Sequence, residues 1–132
     1  GLWWSNWEGH PLHEVPRKEW KWTSMIRQPE FVTKETILEA LEICRRKKKG
    51  IDFSGIRFCR WQEGDCVQCM HKGPYEDETQ TLEKMHRWLR ENNWKDCSGT
   101  KRRHHEIYLS DPRRTAPDHI RTVLRIPVEK QP

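Results

Sequence analysis

The sequence predicts an α+β fold in which an antiparallel sheet carries helices packed on one face. Short segments whose apolar and polar residues alternate, as in strands, are interspersed with two segments that carry the apolar stripe of an amphipathic helix. The connections between these segments are short, which favours antiparallel neighbours in the sheet. Because no internal repeat and no linker-like segment divides the chain, we expect one domain over residues 1–132.

The first strands are predicted from two tryptophan-rich segments. Residues 1–18 should contain the end of one strand followed by an irregular loop. Residues 19–28 alternate, with Trp20 and Trp22 on one face. Pro29 ends this strand, because proline cannot donate a ladder hydrogen bond.

The first helix is predicted between Thr33 and Gly50. Thr33 is a favourable N-cap, and the apolar residues from Ile37 onward form one stripe. The basic run 45–49 falls at the C-terminal end, where cations complement the helix dipole, and Gly50 stops the helix. This run therefore has an explanation that requires no phosphate.

The second half of the chain is predicted to contain four strands and one helix. Leu82, Met85 and Leu89 have the spacing of the inner face of that helix. The order is strand, strand, helix, strand, strand, over residues 56–61, 66–72, 79–92, 104–110 and 122–128.

The composition indicates a folded domain with an unusually aromatic apolar surface. Only 33% of the residues are hydrophobic, but 8 are tryptophans, each with a large apolar area. The net charge is only +5, with both signs interspersed, which argues against disorder. The basic runs 45–49 and 101–103 are more typical of a solvated helix end and a strand entry than of phosphate contacts, so we expect no direct nucleic-acid contact. With no apolar run of membrane-spanning length, no signal peptide and an odd number of cysteines, 5, we expect a cytoplasmic chain with reduced thiols.

A metal site is the first chemistry to weigh. Cys66, Cys69 and His71 have ligand-like spacing, but a closed zinc site needs a second ligand pair, which the sequence lacks. On a strand, Cys66 would point away from the other two. Motifs for phosphate loops and for nucleophile elbows are absent too, so we predict no metal and no cofactor.

The most informative segment is the predicted strand 104–110. Its alternation places His104, Glu106, Tyr108 and Ser110 on one face. A carboxylate in mid-strand is costly to bury without partners, so it is typical of a cleft in which something binds or reacts. The alternative is a strand with one solvated polar face.

Aromatic residues are predicted to surround this carboxylate. Flat rings suit a planar ligand, and a carboxylate beside ring faces selects an organic cation. Alternatively the tryptophans are core residues, an interpretation that is favoured for Trp88 on the second helix and stays open for Trp61 and others. If the polar-aromatic face is concave, one cleft is lined by Trp20, Trp22, Tyr75, Glu106 and Tyr108.

Taken together, five segments resemble the GyrI-like small-molecule-binding domain family, and most closely its stand-alone cytosolic branch. They occur in the expected order and extend over essentially the whole chain. They are Gly-Leu-Trp-Trp at 1–4, residues 20–32 beginning Trp-Lys-Trp-Thr-Ser, residues 66–75 ending Lys-Gly-Pro-Tyr, residues 104–114 beginning His-His-Glu-Ile-Tyr, and Thr-Val-Leu-Arg at 122–125.

The resemblance implies an architecture and a partner. The family is built from two strand–helix–strand–strand modules related by a pseudo-twofold axis, with the ligand in the cleft between them. A glutamate on the strand that matches 104–110 lies in that cleft, so Glu106 inherits this role. The family's first strand and helix should precede Gly1, which leaves the first module incomplete, and we expect a second copy of the chain to cover the sheet edge.

The resemblance also implies an activity. Some stand-alone members are hydrolases that open the cyclopropane ring of DNA-alkylating antibiotics of the duocarmycin type. Glu106 would then act as the general base on water, and Tyr108 would orient that water or donate a hydrogen bond to the developing oxyanion. Trp4, Trp22 and Tyr75 would clamp the flat substrate.

Two other functions are weighed against hydrolysis. The chain could be a non-catalytic multidrug-binding module or sensor, in which the same carboxylate and rings select cationic planar compounds. A protein-interaction role like that of the family's gyrase inhibitor ranks last, because we expect an acidic partner mimic to be acidic and this chain is basic.

Overall fold

The computed structural model describes residues 1–8, 10, 12–99 and 102–132. These residues form two compact units. The larger unit comprises Gly1–Met25 and Glu63–Pro132, and the smaller unit is Ile26–Gln62. No helix in the described ranges is both long and apolar enough to cross a lipid bilayer.

The larger unit is built on one antiparallel sheet of six strands, in the order β2-β1-β5-β6-β3, with β4 pairing separately with β6. The strands are β1 (Leu2–Trp4), β2 (Lys21–Thr23), β3 (Cys66–Lys72), β4 (Trp94–Asp96), β5 (His104–Tyr108) and β6 (Arg121–Lys130). One α-helix lies in each unit: α1 (Lys34–Lys47) in the smaller and α2 (Glu78–Glu91) in the larger. The α+β class and the antiparallel sheet are thus confirmed.

Three of the strands predicted from the sequence are confirmed, and these are the ones that form the longer ladders of the sheet. The third strand, β3, has the predicted bounds, and all seven of its residues pair with β6. The fifth, β5, ends at Tyr108, two residues before the predicted end. The sixth, β6, extends beyond 122–128 at both ends because it pairs with β3, β4 and β5.

Of the other strand predictions, one was too long and one was wrong, and one strand was missed. Of residues 19–28 only Lys21–Thr23 is a strand, since its partner β1 offers just three residues for pairing. Residues 56–61 form no strand, because no ladder partner pairs with them among the described residues. The short strand β4 was missed: its three residues follow a turn at Asn93, which has a positive φ of 58°, and three residues carry too little alternation to show.

One face of the sheet carries both the core and Glu106. Directly opposed residues of antiparallel strands share a face. The β6 residue Leu124 opposes Glu106 on β5 and Cys69 on β3, so all three lie on one face. The helix α2 packs Met85 and Leu89 against Leu124 there, as its apolar spacing predicted.

Several tryptophans lie outside the core. Trp22 is 62% exposed, Trp61 47% and Trp88 44%. The interpretation of Trp88 as a core residue was therefore wrong: it lies beside the stripe that α2 buries, with much of its ring in solvent. Large exposed rings of this kind are typical of binding surfaces when they cluster, which makes their neighbours informative.

The smaller unit contains α1 with the predicted N-cap. The Thr33 side-chain oxygen accepts a hydrogen bond from the Thr36 backbone N–H at 3.3 Å. The basic residues of the last turn lie at the negative end of the helix dipole, as predicted. The helix ends at Lys47, three residues before Gly50, which has a positive φ of 86°.

We expect Leu124→Ala to lower the free energy of unfolding by about 2–5 kcal/mol, the usual cost of truncating a buried leucine. Leu124 is fully buried at the contact between the sheet and α2. Leu109→Ala is the matched control, because Leu109 is 55% exposed and should change stability by about 0.5 kcal/mol or less. Urea unfolding of both variants measures this, and equal losses would contradict the assignment of the core.

Candidate functional site

Glu106 lies at the centre of β5 and is only 7% exposed. Because side chains two residues apart on a strand share a face, its neighbours are His104 and Tyr108. The Tyr108 hydroxyl donates a hydrogen bond to Glu106 Oε2 at 2.5 Å, and His104 Nε2 lies 3.6 Å from Glu106 Oε1. Both carboxylate oxygens thus have a partner on the same strand.

These partners determine the charge of Glu106. Burial alone would raise its pKa, but the contacts from His104 and Tyr108 outweigh burial, and the pKa of Glu106 lies below its ordinary value. The group is therefore an ionised, oriented carboxylate at neutral pH. The sequence analysis predicted a mid-strand carboxylate of this kind, and the structure shows that it is buried.

The Tyr108 hydroxyl connects Glu106 to an aromatic wall. It donates its proton to Glu106 and accepts a hydrogen bond from Trp3 Nε1 at 2.9 Å. Burial and the hydrogen bond to Glu106 raise the pKa of Tyr108 well above its usual value, so the hydroxyl keeps its proton. In this arrangement the single phenolic proton is committed to the carboxylate.

Aromatic rings lie near the hydrogen bonds that link Trp3, Tyr108 and Glu106. The Trp3 ring is 5.9 Å from that of Trp20, edge to face, and 6.2 Å from that of Trp22. Tyr75 meets Tyr108 edge to face at 5.9 Å. The structure thus brings together four of the predicted ligand-binding residues and adds Trp3, which the sequence analysis had not selected.

Trp4, which the sequence analysis assigned to the clamp, lies on the opposite face from Glu106. In the register of β1 and β5, Trp3 opposes His104 and shares its face, so the next residue points away. The Trp4 ring instead lies 3.6 Å from the guanidinium carbon of Arg103. Two consecutive tryptophans cannot be told apart by pattern, since only the register decides which one faces the carboxylate.

A second carboxyl group, Glu78, was missed by the sequence analysis. It is the first residue of α2, and its Oε1 is buried without a well-formed hydrogen bond to any of the described residues. Burial, followed by the negative charge of Glu106, raises the pKa of Glu78 to about 8. The fully buried Thr122, which opposes Tyr108, contributes a hydroxyl nearby that favours the ionised form.

Other candidate sites offer less. Among the described residues, no three histidine, cysteine or carboxylate side chains are close enough to hold a metal ion. A groove of about 490 Å³ runs along α2 and β4, where His86 Nε2 lies 2.9 Å from Asp96 Oδ2. Glu106 is not among the residues that line this groove.

We expect Glu78→Gln to change how stability depends on pH. Because the pKa of Glu78 is about 8 in the folded chain and ordinarily 4.5, the folded state holds a proton that the unfolded state releases between these values. Stability from this group is therefore present below pH 4.5 and is lost as the pH rises through 8. The variant lacks this loss, so its stability relative to the unmodified chain should increase from acidic to mildly alkaline pH.

Urea unfolding at about pH 5 and about pH 8 measures this difference. Glu91→Gln at the exposed far end of α2 is the matched control and should run parallel to the unmodified chain. If Glu78→Gln also ran parallel, the raised pKa of Glu78 would be contradicted.

Solved structures similar to this chain come from Listeria innocua. An uncharacterized conserved protein is 43% identical with a TM-score of 0.88, over 97% of this chain and 61% of that one. A structure described as a hydrolase is 41% identical with a TM-score of 0.82, over 97% of this chain and 60% of that one. A second hydrolase structure is 41% identical with a TM-score of 0.80, over 97% and 61% of the two chains.

The chain thus spans about 60% of the length of these structures. No curated protein matches it. A family model described as the GyrI-like small molecule binding domain matches residues 42–129, which include β3, α2, β5 and almost all of β6. Because this match covers most of its length, the chain belongs to the GyrI-like family.

Proposed function

We propose that this chain binds planar aromatic compounds and hydrolyses those that carry a cyclopropane ring conjugated to a carbonyl group. The observation that carries the proposal is a buried, ionised Glu106 among aromatic rings that stay accessible. The name hydrolase, given to two similar structures, supports a reaction as well as binding. Natural substrates would be DNA-alkylating antibiotics of the duocarmycin type, in keeping with the family resemblance.

The rings supply the binding step. Trp22, at 62% exposed, and Tyr108, at 43%, offer apolar area that a flat ligand would remove from water. The edge-to-face arrangement of Trp3 with Trp20 and of Tyr75 with Tyr108 holds these rings at fixed angles. A planar ligand would therefore meet a preformed surface and lose little affinity to side-chain ordering.

Glu106 supplies the chemical step. As the general base it takes a proton from water, while the water oxygen attacks the strained ring carbon and the carbon–carbon bond breaks toward the conjugated carbonyl. Its lowered pKa makes it a modest base, but ring strain in the substrate supplies much of the driving force. Tyr108 acts as a positioning residue, because its proton fixes the orientation of the carboxylate.

A second candidate function is capture of cationic planar compounds without chemistry. The same observation favours it, because an organic cation would meet both the Glu106 carboxylate and the faces of the tryptophan rings. Consumption of neutral cyclopropane compounds with repeated turnover distinguishes hydrolysis from this alternative. A multidrug-binding protein that only sequesters its ligands would bind cations more tightly than neutral ligands of the same shape.

Two expectations about the setting accompany the proposal. We expect the protein to act in the cytoplasm, on compounds that have already entered the cell. We also expect a second copy to pair along the sheet edge at β2, whose three residues are all exposed. A lone monomer in sedimentation at micromolar concentration would contradict the pairing.

We expect Glu106→Gln to abolish turnover while leaving binding of a neutral planar ligand largely intact, since Gln keeps the shape but cannot take the proton. The loss of a positioned general base is about 100-fold to 10,000-fold in rate. Mass spectrometry of a duocarmycin-type compound after incubation measures the gain of one water. Glu91→Gln is the control with unchanged turnover, and equal loss of binding and turnover in Glu106→Gln would refute the catalytic role.

We expect Trp3→Leu to weaken binding about tenfold or more, because the ring lines the ligand surface and holds Tyr108. Its neighbour provides the matched control: Trp4→Leu lies on the opposite face and should retain affinity. Isothermal titration with the ring-opened, non-reactive product measures both variants. A greater loss in Trp4→Leu would show that the other face of the sheet binds the ligand.

A further inference from the structure

The proposed hydrolysis needs a proton donor as well as a base. When the cyclopropane ring opens, an electron pair moves through the conjugated system to the carbonyl oxygen, which must then gain a proton. The donors already described around Glu106 are occupied. The Tyr108 proton goes to Glu106, and the Trp3 N–H goes to Tyr108.

Glu78 is the neighbouring group that is placed to donate. Its position at the start of α2 brings it to the part of the sheet face where Thr122 opposes Tyr108. Its Oε1 is buried, and the nearby hydroxyl of the fully buried Thr122 favours the ionised carboxylate; neither oxygen has any other hydrogen-bond partner among the described residues. An orphaned buried oxygen costs free energy unless a ligand or a proton satisfies it.

The charges that face Glu78 favour its neutral form. The Glu106 carboxylate and that of Glu76 disfavour ionisation, whereas the Arg17 guanidinium and the N-terminus of α2 favour it. Burial and Glu106 prevail, and the pKa of Glu78 rises to about 8. The titratable side chains that face Glu78 or lie next to its neighbour Glu106 are Tyr75, Glu76, Glu106, Tyr108 and His104.

We propose that Glu78 is the general acid that protonates the carbonyl oxygen of the substrate while Glu106 accepts the proton of the attacking water. This inference rests on the proposed function. The water oxygen bonds to the ring carbon and the ring carbon–carbon bond breaks. The electron pair of that bond forms a carbon–carbon π bond in the conjugated system, and the carbonyl π pair moves onto the carbonyl oxygen, which takes the proton from Glu78. One proton enters Glu106 and one leaves Glu78, so the substrate gains the elements of one water molecule.

The pairing of the two carboxyl groups also restores the enzyme. After the step Glu106 holds the proton and Glu78 is ionised, which reverses their preferred states. Burial and the Glu106 charge raise the pKa of Glu78, whereas the contacts from His104 and Tyr108 lower that of Glu106, so transfer of the proton back to Glu78 is downhill. Two carboxyl groups with separated pKa values are the usual arrangement for an acid and a base at one site.

The test combines a titration with kinetics. Carboxyl carbon NMR of the glutamate-labelled chain should show Glu78 titrating near pH 8, and at a lower pH in Glu106→Gln. The rate of ring opening of a duocarmycin-type compound should fall above about pH 8 as Glu78 loses its proton. Glu78→Gln should slow ring opening about 100-fold and remove this alkaline limb, whereas Glu91→Gln should change neither.

The outcomes separate this inference from the proposed function. If the unmodified chain turns over the compound and Glu78→Gln has the same rate and pH profile, the donor role is overturned and the proposed hydrolysis stands. Titration of Glu78 near its ordinary 4.5 overturns the donor role whatever the turnover, and it is measured on the unmodified chain, so misfolding of a variant does not affect it. Absence of turnover by the unmodified chain, with Glu78 titrating near 8, overturns hydrolysis and the donor role together.

Discussion

The site depends on the antiparallel register of β5 between β1 and β6. That register places Glu106 opposite Leu124 on the core face and places Trp3 opposite His104. A slip of one residue would turn every side chain of β5 to the other face, exchanging the carboxylate for Ile107. The long ladders of β6 with β3 and β5 fix the register, so the core and the site are set by the same hydrogen bonds.

The buried Glu106 and the half-buried Glu78 differ in the charge state that their surroundings favour. Glu106 has a donor within contact distance of each oxygen, so its charge is stabilised despite burial. For Glu78, burial and the negative charge of Glu106 disfavour the ionised form, so its carboxyl group keeps a proton. One of its oxygens is left unsatisfied, which lowers the stability of the fold. Folding alone gives no reason for such an arrangement, and unfavourable groups of this kind are concentrated at functional sites.

Much of the fold could be predicted from the sequence because β3, β5, β6 and both helices have clear periodicity. The alternation of 104–110 was enough to single out Glu106 and Tyr108. The short strands β1, β2 and β4 carry three residues each, too few for a period to show, and their extent is decided by their partners. For the same reason Trp3 and Trp4 could not be assigned to faces before the register was known.

Glu78 illustrates a different limit. A carboxylate in the first turn of a helix is an ordinary favourable feature, since it complements the helix dipole. Its proximity to Glu106 arises because α2 packs on the face that carries β5, a contact between segments far apart in sequence. With Glu78 protonated and Glu106 ionised, the two carboxyl groups carry a single negative charge at neutral pH. Under the proposed function, a neutral substrate with a carbonyl acceptor would use the Glu78 proton, whereas a cation would use only the Glu106 charge, so the protonation of Glu78 would distinguish the two ligand classes.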